Sequence, residues 1–178
     1  LMAVDSAIMV LDSAKGIEAQ TRKLFTVCRR QHLPILTFIN KLDQPGRDPL
    51  SILDEIEQEL SIRVVPMNWP IGSGADFQGV YDPQKQQILY FQRTAHGTER
   101  APVAVRDLDD PVLKELLTLR TYAQLRDDVE LLTGVGSAFD MDAFLAGELT
   151  PVYFGSALNN FGVETFLTAL IELAPSPR

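Results

Sequence analysis

The sequence predicts an α/β fold: a parallel sheet of three strands with helices, carrying an inserted α+β subdomain. Three observations predict it. First, two apolar runs, residues 6–11 and 34–39, are each followed by a stretch of helical periodicity. Continuous apolar runs bounded by turn residues read as parallel strands buried on both faces. Second, a further run of this kind, residues 151–154, precedes the last helical stretch. Third, the rhythm between them changes to a hairpin and a long helix. That span far exceeds the needs of one crossover. The expected division is residues 1–62 and 150–178 for the sheet domain, and 63–149 for the insertion.

The elements follow in order. After the first strand comes a loop, Asp-Ser-Ala-Lys-Gly at 12–16. Ile17, Thr21, Leu24 and Cys28 then recur at helical spacing, one face of a helix that Pro34 stops. Asp48 followed by Pro49 is an N-cap with proline at the first helical position. Leu50, Leu53, Ile56 and Leu60 are the inward face of that helix. Residues 64–71 are extended and hold two prolines, which suits an edge. The stretches 79–82 and 87–91 flank Pro83, Gln84 and Lys85 as a hairpin. Residues 93–109 read as loop and irregular strand. Asp110 and Pro111 cap one long helix, marked by Leu113, Leu116, Leu117, Leu125 and Val129 and ending near Gly134. A short helix spans about 140–147. The final helix carries Val163, Phe166, Leu167 and Leu170.

Bulk composition narrows the function classes. The chain has 178 residues, 46% apolar and 22% charged, as expected of an ordinary globular domain. No apolar run approaches the length that spans a bilayer, so no membrane role is expected. The single cysteine, Cys28, allows no internal disulfide and suits a reducing, cytoplasmic setting. His32 and His96 have no cysteine at ligand spacing, so no metal site is expected. A net charge of −8 argues against general nucleic-acid binding.

The chemistry concentrates at two strand ends. The second apolar run ends in Asn40, Lys41, Leu42 and Asp43. The last one ends in Gly155, Ser156, Ala157 and Leu158. In open parallel sheets, ligands bind outside the carboxyl ends of the strands. A carboxylate accepts two parallel hydrogen bonds. Guanine offers an adjacent pair of donors, the ring imino N–H and the exocyclic amine, and adenine has no matching pair. Asp43 is therefore the expected guanine reader. Asn40 can bond the base edge and brace the neighbouring loop. The stem of Lys41 can lie over the base face with its ammonium in water. The backbone N–H of Ala157 can reach the guanine oxygen, with Ser156 and Leu158 completing the loop. Asp12, Ser13 and Lys15 read as a solvated loop. Trp69, Tyr81, Tyr90 and Phe91 read as core of the insertion rather than a platform for RNA.

These two motifs resemble the fourth and fifth guanine-nucleotide motifs of the translational GTPases. The context resembles the bacterial release factor 3 family, near kin of elongation factor G. The resemblance rests on residues 3–18, Thr-Arg-Lys-Leu at 21–24, Val-Pro-Met-Asn-Trp-Pro-Ile-Gly at 65–72, Gly-Val-Tyr-Asp at 79–82 and residues 145–155. It implies part of a P-loop GTPase-type domain that binds GTP or GDP, with Mg2+ in the parent protein. It implies the ribosome and class-I release factors as partners, in recycling those factors during translation termination. The family's P-loop and its magnesium-binding Asp-x-x-Gly are expected upstream of Leu1. No catalytic residue and no metal ligand is therefore assigned within these 178 residues. Hydrolysis is expected of the parent protein, and the isolated piece is expected to be inactive. Removal of the neighbouring strand is expected to expose the first strand and favour self-association. The alternatives are the same piece of elongation factor G or of a ribosome-protection GTPase, and a ribosome-interaction module that binds no nucleotide.

Overall fold

The computed structural model describes residues 4–94, 97–104, 108–135 and 138–175. Four parallel strands form the first sheet: β1 (Ala7–Asp12), β2 (Ile35–Asn40), β3 (Arg63–Pro66) and β8 (Leu149–Phe154). Their order across the sheet is β1-β2-β8-β3, with every neighbouring pair parallel. The α/β class is as expected, but the sheet has four strands rather than three. The added one, β3, opens the range expected for the insertion. It is only four residues long, with an exposed arginine and a proline at its ends, so its sequence shows no periodicity. As the edge beyond β8, it tolerates that proline.

Helix α1 (Ala19–Arg30) follows β1, and α2 (Pro49–Leu60) follows β2. Asp48 caps α2 by accepting the Ser51 N–H at 2.9 Å, with Pro49 in the first turn. In α1 the buried positions are Phe25 and Cys28, while the expected inward Leu24 is 51% exposed. Strand β2 alternates between the two faces of the sheet. Ile35 and Ile39 join the core that holds α1 and α2, whereas Leu36 and Phe38 join a second core. That second core takes Phe144 of α5 (Met141–Leu145) and Phe166 of α6 (Val163–Leu173).

The insertion is an antiparallel sheet in the order of β4 (Trp69–Ile71), β5 (Gly79–Asp82), β6 (Gln87–Thr94) and β7 (Gly97–Ala104). The hairpin is as expected. Strand β7 replaces the irregular segment expected there and pairs with β6 along its whole length. The expected long helix is two helices, α3 (Pro111–Leu116) and α4 (Leu119–Val135). Leu117 is extended between them. Thr118 restarts the helix, its hydroxyl accepting the Thr121 N–H at 3.2 Å. Trp69, Tyr81 and Phe91 are buried, as expected of core. Trp69 donates its indole N–H to Asp128 at 2.9 Å and meets Phe154 of β8 edge-on, ring centroids 5.3 Å apart.

Two side chains complete the parallel ladder where the backbone cannot. Gly155 donates its N–H to the Ile39 carbonyl. Four residues earlier on each strand, the Ile35 carbonyl faces residue 151, a proline with no N–H. The Thr150 hydroxyl donates to that carbonyl instead, at 2.7 Å, and accepts from Thr37 at 2.7 Å. At the other margin of β8, Asn68 accepts the Phe154 N–H at 2.7 Å. It returns its amide N–H to the Phe154 carbonyl at 3.1 Å. Asn68 thereby stands in for a strand residue where β3 has already ended, and it fixes the start of β4 against the sheet.

Candidate nucleotide-base site

Three strand ends meet at one margin of the parallel sheet. The ladder sets Asp12 opposite Asn40, and Ile39 opposite Phe154. Beyond those pairs the loops are stitched to one another. Leu42 donates its N–H to the Gly155 carbonyl at 3.1 Å, and Ser13 donates to the Asn40 carbonyl at 3.0 Å. Asn40 Oδ1 accepts two N–H groups, from Lys41 and from Ala157, each at 2.8 Å. One amide oxygen so ties the end of β2 to the loop after β8.

That second loop is narrow because Gly155 and Phe161 lie in contact. A Cβ on Gly155 would stand 2.3 Å from the Phe161 carbonyl. The fully buried Ser156 exchanges backbone bonds with Phe161 at 2.9 and 2.8 Å. The Phe161 ring stacks on Phe91 of the insertion, centroids 4.0 Å apart. The Gly74 N–H, also from the insertion, donates to the Leu42 carbonyl at 2.9 Å. Both loops of the site are therefore braced by the inserted sheet as well as by their own strands.

Within this frame Asp43 is half-buried, and its Oδ1 is fully buried with no hydrogen-bond partner. Leaving a buried carboxylate oxygen without a donor is costly. The side chain as a whole is only half-buried, so the carboxylate stands at the carboxyl margin of the parallel sheet, where ligands that bring donors bind. Lys41 has a left-handed backbone, φ 70°, and its ammonium pairs with Asp12 Oδ2 at 2.8 Å. Each partner favours the charged form of the other. The Lys41 bond holds the Asp12 carboxyl below its ordinary value, and the Asp12 bond raises the Lys41 ammonium above its own.

The structure brings Asn40, Lys41, Asp43, Ser156 and Ala157 to one margin, as the sequence led us to expect. Two details differ. The Ala157 N–H, expected to face a base oxygen, donates to Asn40 instead. The Leu158 side chain is 83% exposed. Sequence reasoning missed Asp12 and Ser13, which were expected to be solvated. Ser13 is buried and donates its hydroxyl to the Lys41 carbonyl at 3.2 Å. Asp12 ends an apolar strand just as Asn40 does, so the strand-end rule that found Asn40 applies equally to it. Among the described residues no group of three or more His, Cys, Asp or Glu could hold a metal ion. No helix among them is long and apolar enough to cross a membrane.

The family model for the elongation factor Tu GTP-binding domain matches residues 1–176. Among curated proteins, peptide chain release factor 3 of Trichodesmium erythraeum is 54% identical over 99% of this chain and 33% of its own length. The release factor 3 proteins of Gloeobacter violaceus, 54% identical, and Microcystis aeruginosa, 49% identical, each match with 33% of their own length covered. This chain thus spans about a third of the length of the relatives it matches. A crystal structure of a Thermus thermophilus protein shares the fold, with a TM-score of 0.67 and 22% identity, covering 98% of this chain and 27% of that one.

Proposed function

Because this chain belongs to the elongation factor Tu GTP-binding domain family, we propose that it is the base-recognition part of the GTPase domain of a peptide chain release factor 3. The half-buried Asp43 carboxylate at the strand-end margin, whose Oδ1 has no hydrogen-bond partner within the chain, carries the reading of the site. Asp43 accepts the imino and amino donors of guanine, a pairing that adenine cannot offer. The Lys41 stem covers one face of the base. Asn40 holds the two loops together, and the base oxygen shares the Ala157 N–H with Asn40. Ser156 and Leu158 shape the rim, Ser156 as the buried foot of its loop. GTP or GDP is the ligand, and its phosphates supply the reactive group. The residues described here bind and orient the base and take no part in bond cleavage. Magnesium and phosphate ligands belong to the parent protein outside these residues, so hydrolysis is an activity of the parent and the isolated piece is inactive. We take the insertion to begin after Pro66, where the parallel sheet gives way to the antiparallel one.

The parent acts on the ribosome in the cytoplasm and promotes release of class-I release factors at termination. The identities to release factor 3 proteins support this over an elongation factor G assignment. The test is GTP-dependent removal of a class-I factor from terminated ribosomes by the full-length protein. Translocation activity in its place would contradict the reading. As an isolated piece, the chain self-associates through β1, a sheet edge whose Ile8 and Val10 are 45% and 57% exposed. Sedimentation of the 178-residue chain as a strict monomer would overturn that point.

A further inference from the structure

We infer that Asp12 is a positioning residue for the base site. It holds the Lys41 ammonium so that the lysine stem is already in place beside Asp43 when a purine ring arrives. The inference rests on the base-site reading above and adds a residue outside both motifs.

Both oxygens of Asp12 are committed. Oδ1 accepts the Ala14 and Lys15 N–H groups at 2.8 and 3.3 Å, which fixes the plane of the carboxylate. Oδ2 is thereby aimed at Lys41 Nζ, 2.8 Å away. Lys41 is pinned at its other end as well. Its N–H donates to Asn40, and its carbonyl accepts from Ser13. Its backbone is in the left-handed region, φ 70°, and its side chain reaches Asp12 at the end of β1. The four-carbon stem is strung between two fixed points. A lysine free in water would lose its rotamer freedom on binding, and here that loss precedes the ligand, which is preorganisation. The Asp12 side chain is 16% exposed and Lys41 is 48% exposed, so the pair is shielded on the carboxylate side and open on the ammonium side. The stem meets a ring face, which all purines share, whereas Asp43 meets a ring edge, which only guanine matches. Asp12 therefore sets affinity and leaves base selectivity alone.

The experiment is a double-mutant cycle in the full-length protein, with GDP and inosine diphosphate as ligands in a fluorescent-nucleotide competition assay. Asp12→Asn keeps the Oδ1 acceptor and removes the charge. We expect it to weaken both ligands by the same factor, about fivefold for a half-exposed ion pair, and less at high salt. In a Lys41→Met background, where the stem remains and the ammonium is gone, the same change is expected to cost less than about twofold. Thermal denaturation of each variant confirms that it is folded. Equal Asp12→Asn effects with and without the Lys41 ammonium, or no effect at all, would overturn the positioning role. Asp43→Asn, run alongside, reads the site itself. Unchanged GDP affinity there overturns the base-site reading, whereas additive Asp12 and Lys41 effects overturn only the inference drawn from it.

Discussion

Replacing Thr150 by valine removes one hydroxyl from the centre of the parallel sheet and strands two polar groups. Thr37 and Thr150 are both fully buried. Because Thr150 donates to the Ile35 carbonyl, the Thr37 hydroxyl is the donor in the bond between the two threonines. Valine at 150 leaves that carbonyl facing Pro151, which has no N–H, and leaves the Thr37 hydroxyl without its acceptor. An unsatisfied buried group costs about 1–3 kcal/mol, so the two together should cost about 2–6 kcal/mol. Thr150→Ser keeps the hydroxyl and loses one methyl, about 1 kcal/mol. The double change Thr37→Val with Thr150→Val strands only the carbonyl and should be less damaging than Thr150→Val alone. Urea unfolding followed by the fluorescence of Trp69, the chain's one tryptophan and fully buried, measures each step. A cost below about 0.5 kcal/mol for Thr150→Val, or a serine variant as unstable as the valine one, would show that the Thr150 hydroxyl does not complete the ladder.

Three further outcomes are expected. Thr118→Ala removes the cap that restarts the helix after Leu117 and should lower stability by about 1 kcal/mol in the same unfolding assay. The stability difference between the wild type and Asp12→Asn should be flat from about pH 5 to about pH 9. The sign follows from the shifts: a lowered carboxyl stabilises above its ordinary value and loses that contribution as pH falls through the lowered one, while the raised Lys41 loses its share only above its own ordinary value. Thermal melts across that range check it. Burial raises the Cys28 thiol, so alkylation under native conditions should be slow and should accelerate sharply on unfolding, as followed by mass spectrometry.

Much of this architecture was legible in the chain because long apolar runs and caps state themselves. Residues 34–39 are all buried and form most of β2, and Asp48 with Pro49 starts α2 as read. The strand-end motifs at 40–43 and 156–158 came together because parallel strands bring their carboxyl ends to one margin. What escaped had no local signal. Strand β3 is short and begins with an exposed arginine. Strand β7 holds Glu99, Arg100 and Pro102, residues that local propensity assigns to a loop, and its pairing with β6 outweighs that preference. The break at Leu117 interrupts no apolar spacing, so only the hydroxyl of Thr118 marks it. Ser13 looked solvated because its burial comes from contacts distant in sequence, its backbone and hydroxyl bonding to Asn40 and Lys41. Leu24 looked inward because helical spacing fixes a face without saying which neighbour covers it.

If Asp43 reads guanine, changing that one side chain should switch the base that is bound. In the full-length protein, Asp43→Asn exchanges a pure acceptor for a group that both donates and accepts. A site built on hydrogen bonds rejects a mismatched partner by on the order of 10⁴-fold. The variant is expected to lose GDP by roughly that factor and to gain affinity for xanthosine diphosphate, whose carbonyl meets the new amide donor where guanine has its amine. Titration of both nucleotides against both proteins is the measurement. GDP affinity equal to that of the wild type, with xanthosine diphosphate still rejected, would show that Asp43 does not read the base.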